Sequence, residues 1–99
     1  MLSGLGLALR AGRLRVGLEA VQQSVRGNRA RAVVIAGDAP EKLRRRLERL
    51  LGSAGVPFAV VVDGDQLGRA VGRERVVVLA ITSDSLGKRV LELAKEVEG

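Results

Sequence analysis

The chain has 99 residues, of which 46% are hydrophobic, and its 17 basic and 11 acidic residues give a formal net charge of +6. This length suits one modest hydrophobic core, so we expect residues 1–99 to form a single domain. Cysteine and histidine are absent, which excludes disulfides, thiolate chemistry and the usual nucleophile–base pairs of enzymes. The positive charge favours a polyanionic partner, nucleic acid before an anionic membrane. No apolar run is long enough to cross a bilayer, and we expect a cytoplasmic protein.

The first third of the chain alternates between helical and strand-like patterns. Apolar residues at helical spacing predict two helices, and short apolar runs between turn signals predict two strands. The predicted elements are a helix with Leu2, Leu5 and Leu9 on one face and Gly12 at its end, a strand over residues 13–16, a helix opened by Gly17 with Leu18, Val21 and Val25 on its apolar face, and a buried strand over residues 32–36.

The rest of the chain continues the alternation. Asp38 is expected to cap the next helix, with Pro40 in its first turn and Glu41 three residues after the cap. The predicted elements are that helix with Leu43, Leu47, Leu50 and Leu51 on its apolar face, a buried strand over residues 58–62, a short helix over residues 63–72, a buried strand over residues 76–82, and a last helix with Leu86, Val90, Leu93, Ala94 and Val97 on its apolar face. The pattern predicts an α/β sandwich with helices on both faces of one sheet.

The third predicted helix carries the densest charge, in the segment EKLRRRLERL, residues 41–50. We interpret these arginines as a solvated helix face. Glu41 and Glu48 have basic partners at i, i+3 and i+4 spacing, and the surplus charge adds diffuse attraction for a polyanion.

Three aspartates raise the alternative of a magnesium site. Asp38, Asp63 and Asp84 each follow an apolar strand, and in a doubly wound sheet such positions gather at one edge. Each also directly precedes a helical pattern, where aspartate is favoured as an N-cap. We favour caps and expect no metal or other cofactor.

The segments GLEAVQQSVRGNRARAVVIAGDAP and LGRAVGRERVVVLAIT together resemble the kink-turn-binding ribosomal protein family, and most of all its small bacterial YlxQ-like branch. The distinctive pieces are the helix opened by Gly17, the strand and turn that end at Asp38, and the pattern L-G-x-A-x-G at residues 67–72. The resemblance implies a three-layer α/β/α sandwich with one mixed four-stranded sheet, in which residues 13–16 form the fourth strand.

The resemblance also implies an RNA site built from three neighbouring loops. The first reads tandem sheared G·A pairs, the second follows the strand that ends in aspartate, and the third covers a flipped-out nucleotide. The residues that match these loops are Arg15, Gly17, Leu18, Glu19 and Gln23 in the first, Asp38 and Ala39 in the second, and Gly72, Arg73, Glu74, Arg75 and Val76 in the third. Three positions depart from the family pattern: Glu19 replaces the usual Asn, Ala20 the usual Glu, and Gln23 the usual Lys.

These observations predict a non-enzymatic protein that binds structured RNA, with ribosomal RNA as one candidate. Phe58 is the only aromatic residue and falls in a predicted core strand, so base stacking on an aromatic platform is excluded. The remaining groups are arginines, backbone amides at helix N-termini and glycine-rich loops that approach phosphates closely. The alternative is a protein-interaction domain of the same fold that has lost kink-turn recognition. The sequence leaves the oligomeric state open.

Overall fold

A computed structural model describes residues 9–61 and 63–98, with side chains described as far as residue 92. Strands and helices alternate along this part of the chain, as the apolar pattern predicts. The elements are β1 (Leu14–Val16), α1 (Leu18–Arg26), β2 (Ala32–Ala36), α2 (Glu41–Ala54), β3 (Phe58–Val61), α3 (Gly64–Ala70), β4 (Val78–Ile81) and α4 (Asp84–Glu98).

The four described strands form one mixed sheet in the order β1-β4-β2-β3. β2 and β3 are parallel, whereas β4 lies between β1 and β2 and is antiparallel to both. The ends of β1, β2 and β3 therefore lie at the same edge of the sheet as the start of β4. This topology confirms the mixed four-stranded sheet that the family resemblance implies.

The sheet has a hydrophobic core on each face, and the period-2 alternation of the strands assigns each residue to one of them. All five residues of β2 are buried because both faces of this central strand are covered. One core lies under α3 and α4 and contains Ala32, Val34, Leu67, Leu79 and Val90. The other lies under α1 and α2 and contains Val21, Val33, Ile35, Leu47 and Val78. Helices on both faces make the α/β/α sandwich that was predicted.

β4 is shorter than the predicted strand of residues 76–82. The backbone N–H of Val76 donates to the carbonyl of Gly64 at 3.0 Å, a bond outside the sheet. Val76 is nevertheless only 5% exposed, and its side chain belongs to the core. Apolar composition thus predicted burial correctly, but burial here extends beyond the strand.

The predicted first helix lies mostly outside the described residues, since Leu2 and Leu5 are not among them. Its end is described: Leu9 is helical, and Gly12 has a φ of +71° and donates its N–H to the Leu9 carbonyl at 3.0 Å. None of the helices in the described part of the chain is long and apolar enough to cross a membrane.

Candidate nucleic-acid interface

Three segments predicted to contact RNA meet at one edge of the sheet, which we call the loop edge: residues 15–20, 37–40 and 72–76. They meet because β1 and β2 end at this edge, where β4 begins. Backbone hydrogen bonds join the first two segments to the sheet, from Gly17 N–H to the Val78 carbonyl at 3.0 Å and from Gly37 N–H to the Val61 carbonyl at 2.8 Å. The third segment is joined to α3 instead, through Val76 N–H and the Gly64 carbonyl.

The first segment ends in an open helix N-terminus. Gly17 is the N-cap of α1 with a φ of +98°, a backbone conformation that residues with a Cβ rarely adopt. No described side chain caps this terminus, so the N–H groups of the first turn remain open to an outside acceptor. Glu19 and Gln23 are exposed on this helix, whereas Leu18 is half-buried against the core.

An open groove runs along α1 away from the loop edge. It consists of two adjoining depressions of about 350 and 320 Å³ that share Ala20 and Gln23. Arg15 lines the second depression, and its guanidinium donates to the carbonyls of Gly12 at 3.1 Å and Leu14 at 2.9 Å. Arg29, which the sequence did not single out, lines the same depression. Two arginines thus line the same depression as Gln23, the position where the family pattern has lysine.

Asp38 does not cap α2, which corrects the sequence-based expectation. The N-cap of α2 is Pro40, with extended backbone, and the helix begins two residues later than expected. Ala39 precedes a proline, and a residue in that position is disfavoured in helical conformation. The Asp38 carboxylate instead accepts a hydrogen bond from the Gly64 N–H at 2.8 Å and forms an ion pair with Arg75 at 3.2 Å. The hydrogen bond from Gly64, with the nearby Arg75 charge, lowers the pKa of Asp38 below its ordinary value of 3.8.

The third segment is folded tightly against α3. A Cβ at Gly68 would lie 2.8 Å from the carbonyl oxygens of Arg73 and Glu74 and 2.9 Å from the Cα of Arg75. The Gly68 carbonyl accepts a hydrogen bond from the Arg73 N–H at 2.8 Å, and Gly72 turns the chain with a φ of +73°. The two glycines of L-G-x-A-x-G therefore shape this loop, one by close approach and one by a left-handed turn.

The two arginines of this loop have different environments. Arg75 pairs with Asp38 and with Asp65 at 3.7 Å, and its side chain packs over Gly64. Among the described residues, Arg73 forms no ion pair, and its side chain is exposed. Arg73 is thus presented to solvent, whereas Arg75 joins the loop to the segment that follows β2.

The remaining predicted site residues differ in how exposed they are to solvent. Glu74 and Gly72 are exposed at the loop edge. Ala39 is 7% exposed and Val76 5% exposed, so their side chains belong to the two cores. The fold brings all three predicted segments together but presents only part of each to solvent.

The magnesium alternative required Asp38, Asp63 and Asp84 to lie at one edge of the sheet. This prediction is wrong for Asp84. Because β4 is antiparallel to β2, Asp84 lies at the opposite edge, where it pairs with Arg31 at 3.2 Å. Asp63 caps α3 as predicted, accepting from the Gln66 N–H at 2.8 Å. No group of three potential metal-ligating side chains occurs in the part of the chain that the structure describes.

Gly64 is the residue of this edge that sequence reasoning missed. Its N–H donates to Asp38, its carbonyl accepts from Val76, and a Cβ there would lie 3.1 Å from the Arg75 side chain. The available signal was a glycine directly after the predicted cap Asp63. A helix does not need a glycine at this position, so its presence indicates a close contact.

Comparison with known proteins agrees with this architecture. Residues 1–91 match the model of the ribosomal protein L7Ae/L30e/S12e/Gadd45 family. The chain is 30% identical to the RNA-binding protein YlxQ of Bacillus subtilis over 90% of this chain and 89% of that protein. It is 32% identical to the large ribosomal subunit protein eL30 of Aeropyrum pernix over 89% of each chain. A solved structure of a protein of unknown function from Bacillus halodurans superposes with a TM-score of 0.90 at 32% identity and covers 95% of both chains.

Proposed function

This chain belongs to the ribosomal protein L7Ae/L30e/S12e/Gadd45 family, and on that premise we propose that it binds structured, kink-turn-like RNA through the loop edge without catalysing a reaction. Relatives named as an RNA-binding protein and a ribosomal protein support an RNA partner, with ribosomal RNA as a candidate. With an RNA partner of this kind, we propose that the protein works in the cytoplasm.

The observation that carries the proposal is the convergence of the three segments at the loop edge. The open N-terminus of α1 at Gly17 offers backbone donors to an anion. The loop of residues 72–76 presents Arg73 from a fixed backbone. The groove beside α1 places Arg15 next to the same end of the molecule. Donors and cations held on a rigid framework suit a folded RNA whose phosphates and base edges are fixed in space.

A binding titration with two RNAs tests the proposal. One RNA is a kink-turn duplex, and the other is the same duplex with its sheared G·A pairs converted to Watson–Crick pairs. We expect the protein to prefer the kink-turn, and we expect Arg73→Ala to reduce that preference. Equal affinity for the two RNAs contradicts recognition at the loop edge.

The alternative is a protein-interaction domain that has lost kink-turn recognition. It is favoured by Glu19, whose exposed carboxylate lines the groove at the start of α1, where phosphates would approach. Pull-down of cellular RNA with the crosslinked protein separates the two functions. Recovery of specific RNA segments supports RNA binding, and recovery of proteins alone supports the alternative.

A further inference from the structure

The exposed side of α2 carries a basic stripe, which we define as Lys42, Arg45, Arg46 and Arg49. These residues follow one another at i, i+3, i+4 and i+7 and are all exposed. Such spacing places neighbouring Cβ atoms about 5–6 Å apart along one side of a helix. With five basic and two acidic residues, α2 has a net charge of +3, half of the net +6 of the whole chain.

The two glutamates of α2 lie along one side of the stripe, next to Arg45. Glu41 and Glu48 lie seven residues apart, so they share a line that is turned by about 100° from the line of Lys42 and Arg49. The sequence predicted basic partners for both glutamates. Among the described residues, only Glu41 has one, an ion pair with Arg45 at 2.7 Å.

The basic stripe is therefore poorly neutralised. The Glu41–Arg45 pair is about two-thirds exposed on both sides, and exposed pairs of this kind are weak and exchange readily for another anion. The described structure assigns no ion pair to the other three cations. An open depression of about 780 Å³ lies against the stripe, and the described residues that line it all belong to α2, with Glu41 beside the four cations. The surface thus combines four cations with room for an extended partner.

The stripe is also continuous with the loop edge. α2 begins at Glu41, directly after the second segment of the loop edge, residues 37–40. From Lys42 to Arg49 the stripe runs away from that edge for about 10 Å, at 1.5 Å per residue. A strand of RNA held at the loop edge can therefore continue along α2 without leaving the protein surface.

We propose that the basic stripe is a second RNA contact, which binds the phosphate backbone without reading sequence or shape. Arginine suits this role because its planar guanidinium donates to two phosphate oxygens at once. The absence of aromatic residues beside the stripe fits contact with phosphates alone. The proposal rests on the proposed function only for the identity of the partner, because the charge pattern stands without it.

The test compares two variants that each lose two charges. Arg46→Ala with Arg49→Ala removes half of the stripe. Lys88→Ala with Arg89→Ala is the matched control, since both residues are exposed on α4, on the other face of the sheet. Binding to the kink-turn duplex and to a plain duplex of equal length is titrated over a range of salt concentrations.

We expect the stripe variant to lose affinity for both RNAs by the same factor and to leave their ratio unchanged. The slope of log affinity against log salt should become shallower by about two, because each lost phosphate contact removes about one unit. The control should keep the wild-type slope. Equal losses in both variants, or none in the stripe variant, overturn the proposal.

The two RNAs separate this proposal from the function proposed above. If the wild-type protein binds both duplexes equally and the stripe variant weakens both, the stripe is supported and kink-turn recognition fails. If the wild-type protein binds only the kink-turn duplex and the stripe variant binds it with the same affinity, kink-turn recognition is supported and the proposed role of the stripe is wrong. A stripe variant that binds RNA normally but loses binding to phosphatidylserine vesicles assigns the stripe to a membrane and overturns the proposal.

Discussion

The loop edge and the basic stripe both carry arginines, but they hold them in different ways. At the loop edge, Arg75 is paired with two carboxylates and packs over a glycine backbone. In the basic stripe, three of the four cations have no described ion pair. The loop edge therefore uses part of its charge to fix its own shape, whereas the stripe leaves its charge for a partner.

This difference separates specificity from affinity. A fixed backbone with few free cations recognises a particular RNA shape, because its donors cannot follow a different one. A row of free cations attracts any phosphate backbone and is sensitive to salt. In this protein the two properties lie on neighbouring surfaces, so they can be changed one at a time.

The largest expected effect comes from Gly68→Ala, which breaks the shape of the loop edge. The new Cβ would lie 2.8 Å from two backbone carbonyl oxygens, and neither belongs to a flexible side chain. We expect a loss of about 1–3 kcal/mol in the free energy of unfolding, as for other overpacked sites. For a domain of this size, the melting temperature should fall by roughly 4–8 °C per kcal/mol in thermal unfolding.

Gly52→Ala is the matched control for that variant. Gly52 lies in α2, and a Cβ there meets nothing within 4 Å. We expect it to be neutral or to stabilise the protein by up to about 1 kcal/mol, because alanine favours helix more than glycine. If Gly68→Ala melts like Gly52→Ala, the loop moves freely and the tight packing is unimportant.

The two arginines of the third loop sharpen the comparison within the loop edge. We expect Arg73→Ala to weaken kink-turn binding by about tenfold while leaving the melting temperature unchanged, because a hydrogen bond to a charged group contributes about 1.5–3 kcal/mol. Arg75→Ala should lower the melting temperature as well, since Arg75 joins two segments. RNA titrations and thermal melts of both variants check this. Similar behaviour in both assays would show that the arginines are equivalent.

Restoring the family pattern at the start of α1 should add specificity to the loop edge. Glu19→Asn, Ala20→Glu and Gln23→Lys together remove a repulsive carboxylate, supply an acceptor for guanine amino groups and add a cation. One new charged hydrogen bond would raise affinity for a standard kink-turn by about tenfold or more in a titration. The duplex with Watson–Crick pairs should gain little. A gain that is equal for both duplexes would reflect charge alone.

The smallest expected effect is the pH dependence of Asp38→Asn. The pKa of Asp38 is lowered in the folded protein, so its carboxylate stabilises the fold above pH 3.8, and this stabilisation is lost as the pH falls through the lowered pKa. The variant should be less stable than the wild type at neutral pH, and the difference should close under acid. Denaturant unfolding across this range measures it. A difference that stays constant with pH would point to lost geometry instead of lost charge.

Much of the architecture follows from the sequence because its causes are local. The run AVVIA predicted β2 with its observed bounds, since a continuous apolar run needs cover on both faces. Helical spacing predicted α1 and α2, and Gly17 predicted where α1 begins. The three candidate RNA segments came from resemblance to a family, and no local pattern would have joined them.

The tertiary structure decided what lies between segments far apart in the chain. Asp38 had the local features of a helix cap, but it bonds to Gly64, 26 residues away, and to Arg75, 37 residues away. The direction of β4 separated Asp84 from the other two aspartates, and no residue within β4 signals that direction. Local patterns determine which residues are buried and which are helical. Strand order and direction determine which charges meet, because a carboxylate pairs with whatever donor the fold places within about 3 Å of it.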